Sequence, residues 1–181
     1  PTLFAPLVII ATALFLWNCW KRLSLTALGR PDNRLENIGQ RISDTVTYVF
    51  AQKRVLAKPS GLIHGAIFWC FLVLMLANGE FLLHGLFPSI SFSLLPEAVF
   101  TPLMQLIDVV SLITLAAVIA AAVRRIVAPP YPEARTFEAF FILSLIALLM
   151  LASFGVNAAR ILLGEAPAAA FPVSSWFVPY I

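Results

Sequence analysis

Four long apolar runs, separated by charged or proline-rich connections, limit this chain more than any other feature. They fall at about Leu3–Trp20, Leu62–Leu83, Ala98–Val123 and Phe137–Leu163. Crossing about 30 Å of hydrocarbon takes roughly 20 helical residues, and each run is close to that length or longer. Backbone groups in lipid have no water to bond, so such runs must be helices that satisfy their own N–H and C=O groups. A fifth run opens near Pro172. The expected fold is therefore all-α, a polytopic transmembrane helix bundle with four full spans and the start of a fifth. Residues 1–181 are read as a single transmembrane domain within a longer chain, because the sequence opens at Pro1 and closes on Trp176-Phe177-Val178-Pro179-Tyr180-Ile181.

Composition agrees with the runs. Only 12% of the 181 residues are charged and 61% are hydrophobic, whereas a soluble domain carries about 25% charge to solvate its surface. The net charge of +3 does not indicate a nucleic-acid partner, because the basic residues collect in two connections. One holds Lys21, Arg22, Arg30, Arg34, Arg41, Lys53, Arg54 and Lys58; the other holds Arg124, Arg125 and Arg135. The connection from Gly85 to Glu97 has neither Lys nor Arg. By the positive-inside rule the basic connections face the cytoplasm and the N-terminus lies outside. Trp17 and Trp20 beside Lys21 suit an aromatic belt at the inner interface.

The first basic connection is long. Leu35, Ile38, Ile42, Val46 and Val49 recur in it at helical spacing among Arg34, Arg41, Asp44 and Lys53. Residues 31–58 are thus expected to form a cytoplasmic amphipathic segment, lying on the membrane surface or docked on a soluble partner. Pro31 and Pro59 bracket it, and Pro129, Pro130 and Pro132 break the other basic connection. Cys19 and Cys70 stand alone in apolar runs with no CxxC spacing. They read as small packed hydrophobes and cannot by themselves hold zinc or an iron–sulfur cluster.

Ionisable side chains within spans are costly, so each is a candidate for function. His64 lies one turn inside the cytoplasmic end of the second run, and imidazole is a common axial ligand of haem. The bland alternative is an interfacial histidine bonded to a loop. His84 closes the same run twenty residues on, about 200° around and about 30 Å along a straight helix. The two imidazoles therefore point to nearly opposite faces unless the helix bends near Asn78-Gly79. Glu80 precedes His84 by one turn. Thr101, Gln105 and Asp108 form a polar stripe on the third run, as do Ser153, Asn157 and Arg160 on the fourth. Arg160 paired with Glu80 or Asp108 would lessen the desolvation cost of both partners. Glu80, His84, Asp108 and Arg160 are candidates for a quinone or proton site, with Arg160 also suited to a haem propionate. The competing reading is a structural polar clamp between helices.

Gln52-Lys53-Arg54-Val55-Leu56, followed by Gly61-Leu62-Ile63-His64-Gly65-Ala66-Ile67-Phe68-Trp69-Cys70-Phe71-Leu72-Val73-Leu74, carries a resemblance. It is similar to the N-terminal membrane domain of the heterodisulfide-reductase-related iron–sulfur oxidoreductases, which include electron-transfer-flavoprotein:menaquinone oxidoreductases. Their membrane part resembles the cytochrome b (gamma) subunit of respiratory nitrate reductase. Gly29-Arg30-Pro31-Asp32-Asn33-Arg34 and the long basic connection also suit that family. The resemblance implies a haem b-bearing anchor in the bacterial inner membrane, with His64 at the position of the family's histidine in the second span and His84 a weaker candidate ligand. It implies menaquinone or ubiquinone as substrate, and a cytoplasmic iron–sulfur domain, outside this chain, fed by a soluble donor such as electron-transfer flavoprotein. Two other classes compete: an ion or solute transporter-like bundle, for which no internal repeat is visible, and a cofactor-free anchor for a soluble enzyme.

Overall fold

The computed structural model describes residues 3–29, 36–59, 61–129 and 135–181. The described residues form helices and no strand. Four of the helices are long and apolar enough to cross a membrane. They are α1 (Phe4–Ser24), α4 (Gly61–Leu86), α5 (Glu97–Val127) and α6 (Phe137–Leu162), with short helices α2 (Ile38–Asp44) and α3 (Lys53–Leu56) between the first two. α4 and α5 overshoot their expected runs at both ends by one to four residues, α1 overshoots by four at its C-terminal end, and α6 matches its run to within one residue. A helix does not stop at the edge of its apolar stretch when polar residues such as Lys21 and Arg124 continue its hydrogen bonding. α4 continues unbroken through Asn78-Gly79. The run that opens near Pro172 continues as a 3-10 helix over Ser174–Tyr180.

The chain divides into two compact units, one of Pro1–Ala51 with Glu80–Ser91 and the other of Gln52–Gly79 with Phe92–Ile181. In the first unit α1 buries no residue. Its start meets the end of α4, where Phe4 sits edge-on to Phe81 with ring centroids 6.0 Å apart. A side chain at Gly85 would strike the Phe4 ring, so the missing Cβ lets the aromatic in. Lys21 lies over the Trp17 ring at 5.4 Å, a cation–π contact at the basic end of the helix. The amphipathic segment keeps its periodicity only in part. α2 passes into a π-helical turn over Thr45–Phe50, and Ile38, Ile42, Val46 and Val49 are exposed. The proposed start of that segment, from Pro31 to Leu35, lies outside the described residues, as do Arg30, Pro130 and Pro132.

In the second unit α4, α5 and α6 pack with α5 antiparallel to the other two. Cys70 and Leu74 of α4, Val110 of α5 and Met150 and Phe154 of α6 share one core with Val173. Cys70 is a buried free thiol there, packed as a small hydrophobe. The Phe177 ring stacks on Phe154 at 5.5 Å and 8°. The helix ends are satisfied by identifiable groups. Thr136 accepts from the Ala139 N–H at the start of α6. Arg135 donates to the Arg125 and Ile126 carbonyls at the end of α5, where a cation also suits the helix dipole. Gly164, at φ +72°, turns the chain out of α6 while the Glu165 N–H returns to the Arg160 carbonyl.

Candidate functional site

The first half of the motif stretch folds into a latch. Gln52, at φ +52°, reverses the chain into α3. α3 then lies so close to the first turn of α4 that a Cβ at Gly61 would collide with the Val55 carbonyl. One turn on, a Cβ at Gly65 would come within 2.7 Å of the Leu56 side chain. Glycine at both places lets α3 close on α4, and His64 stands between them in sequence.

His64 borders a cavity of about 330 Å³ at the basic-loop end of α4, α5 and α6. Ile63 and Ile67 of α4, Ala121 of α5, and Ile142, Leu143 and Ile146 of α6 form its apolar wall. Arg124 and Arg125 complete the lining. In the sequence these arginines bear only on orientation; their arrival beside an imidazole depends on α5 running antiparallel to α4. An imidazole, an aliphatic wall and two guanidinium groups together suit a flat apolar ligand with anionic groups at one edge. Haem b is one group with that chemistry: His64 would hold its iron and the arginines its carboxylates. His84 does not line this cavity.

Asp108 has a different setting from the one its stripe suggested. It is 1% exposed, and its carboxylate accepts from the Val173 N–H at 2.7 Å, the Ser174 N–H at 3.0 Å and the Ser174 hydroxyl. Asn157 Nδ2 donates to that same hydroxyl at 3.4 Å, and Gln105 Nε2 donates to the Ala169 carbonyl at 2.8 Å. The polar stripes of α5 and α6 thus fasten the C-terminal segment. Asp108 draws its hydrogen bonds from Val173 and Ser174 and none from Arg160, which is half-buried. Sequence reasoning missed Ser174. A serine near the end of an apolar run, level with a lone buried carboxylate, was the signal available.

Glu80 and His84 belong to the other unit. Ser91 Oγ donates to Glu80 Oε1 at 3.0 Å, and His84 Nδ1 lies 3.0 Å from the Ile90 carbonyl oxygen. Both bonds tie the last turns of α4 to the two residues Ile90 and Ser91.

Comparison with known proteins found partial relatives. Over 82 residues, 44% of this chain, it is 38% identical to the EtfAB:quinone oxidoreductase of Syntrophomonas wolfei subsp. wolfei. Over 150 residues, 82% of this chain, it is 30% identical to the probable iron-sulfur-binding oxidoreductase FadF of Bacillus subtilis. The chain spans only 12% and 21% of the lengths of those proteins. It is related to oxidoreductases with iron–sulfur and quinone links. No family model matches, and no solved structure matches.

Proposed function

We propose that this chain is a membrane electron-transfer domain that passes electrons between a cytoplasmic iron–sulfur module and the quinone pool. The single observation that carries the reading is the cavity whose lining brings His64 together with Arg124, Arg125 and aliphatic side chains. The two relatives support it by their names, one a quinone oxidoreductase and one a probable iron-sulfur-binding oxidoreductase. The helices cross the bacterial inner membrane, with both basic connections on the cytoplasmic side. Menaquinone or ubiquinone is the substrate, and a soluble protein such as electron-transfer flavoprotein is the primary donor.

In this reading His64 would hold the iron of haem b, and the guanidinium groups of Arg124 and Arg125 would hold its carboxylates. The bound group supplies a one-electron store within the bilayer. The chain's own contribution is to aim the imidazole from the latched first turn of α4, to keep water out with the isoleucines, and to fix the anionic edge. The two cations would favour the reduced, less positive state of such a group. Of the four residues considered for quinone or proton traffic, Glu80, His84 and Arg160 remain suited to it. Asp108 serves there only through the segment it fastens.

The test is a dithionite-reduced minus oxidised spectrum of the intact protein in its native membrane. A b-type α-band is expected, and His64→Ala should abolish it. Absence of the band from the wild-type protein, or a band indifferent to His64→Ala, would overturn the haem assignment.

A further inference from the structure

We infer that Ala121 of α5 is the floor of the His64 cavity, the small residue that lets the flat body of the bound group enter between α4 and α6. This rests on the haem reading above and gives a positioning role to a side chain with no polar atom.

The lining has two levels. On each of the three helices one lining residue stands a turn further from the basic-loop end than the others. These deeper residues are Ile67 of α4, Ala121 of α5 and Ile146 of α6. Every polar side chain of the lining, His64, Arg124 and Arg125, stands at the outer level. The cavity therefore holds its polar groups at the mouth and only hydrocarbon at the floor. A group with carboxylates at one edge enters with that edge at the mouth, and its apolar body extends a turn deeper.

At that depth the three helices differ in bulk. The two isoleucines are branched and stiff about their first side-chain bond. Ala121 ends at its Cβ, so α5 contributes the least bulk of the three. An alanine that served close packing of α5 would have its methyl covered, whereas Ala121 is half-buried and borders about 330 Å³ of space. Its neighbour Ala120 is exposed and does not line the cavity. Size at Ala121 thus sets how far an apolar body reaches past the imidazole, while the ligand and the cations stay as they are.

The experiment uses the intact protein in its native membrane and reads haem content per protein together with the reduced-minus-oxidised α-band. Ala121→Leu replaces a methyl by an isobutyl group and should cut retained haem at least about tenfold, the penalty for overfilling a packed site. Ala121→Val should cut it about threefold, and this variant decides if Ala121→Leu does not fold. Ala120→Leu adds the same bulk one residue away and should retain the wild-type content. In a His64→Ala background, Ala121→Leu should leave the thermal midpoint unchanged or higher, because the added carbon fills apolar space. A residue needed only for packing between helices would lower that midpoint. Wild-type haem content in the Ala121 variant that folds would overturn the floor and leave the haem reading standing. An equal loss in Ala120→Leu, or a lowered midpoint in the His64→Ala background, would also overturn the floor alone. A wild-type protein without the band would overturn both.

Discussion

The two histidines of α4 sit in opposite chemical settings. His64 borders an aliphatic cavity with two guanidinium groups in its lining and glycines on either side of it in the turn. His84 is exposed, held by a backbone carbonyl, one turn after the Glu80 carboxylate. Residue type alone made both candidates for the same iron. Surroundings separate them: two cations share the cavity lining with His64, whereas a backbone carbonyl takes the Nδ1 proton of His84. The same side chain on one helix thus stands in two different environments.

The sharpest test of this contrast is to remove each imidazole in turn. His64→Ala should cut retained haem at least a hundredfold, and His84→Ala should leave it unchanged, as read by haem content per protein. Equal losses would erase the distinction. The next effect concerns the cations. Replacing Arg124 and Arg125 together by Gln should weaken haem retention about tenfold, the lower end for groups supporting a metal ligand. It should also lower the midpoint potential by about 60 mV, a tenfold change for a one-electron couple. Redox titration of the α-band reads both, and a potential that fails to fall would detach the arginines from the His64 site.

A third prediction guards the contrast from a rival carboxylate. Asp108→Ala leaves two backbone N–H groups and a hydroxyl without their acceptor, at about 1–3 kcal/mol for each group left unsatisfied. Thermal unfolding in detergent should show a loss of at least about 2 kcal/mol, with quinone KM unchanged in the folded fraction. A specific rise in KM with unaltered stability would move Asp108 from a fastening role to the substrate. The smallest effect is expected at the latch. Gly65→Ala crowds Leu56, the end of a flexible side chain, and should cost about 1 kcal/mol. It should broaden or shift the His64-dependent band and leave quinone KM as it was.

The spans were legible because hydropathy reports which solvent a segment needs, and helix is the only spanning answer for such runs. α1 shows the limit of that signal. It reads as clearly as the other spans, yet it buries nothing within this chain. Conversely, Phe171, Val173 and Ser174 lie in a stretch read as the opening of a fifth span, and all three are buried. Apolarity says where a helix lives and not what it packs against. The polar stripe through Gln105 and Asp108 was visible from spacing, but its partners were not. Asp108 bonds a segment 65 residues away through backbone N–H groups, which no side-chain pattern encodes. Arg124 and Arg125 were read for topology alone because nothing local to them points to His64. Only the antiparallel passage of α5 beside α4 brings them there.

The tight closure of α3 onto α4 has a mechanical implication. Lys53 and Arg54 ride on a four-residue helix that touches the turn carrying His64 through backbone at Gly61 and through Leu56 at Gly65. At Gly61 that contact is backbone to backbone, with no side chain between to yield. A soluble protein docking on those two cations would load the foot of α4 directly, so contact on the surface and alignment of the imidazole become a single degree of freedom.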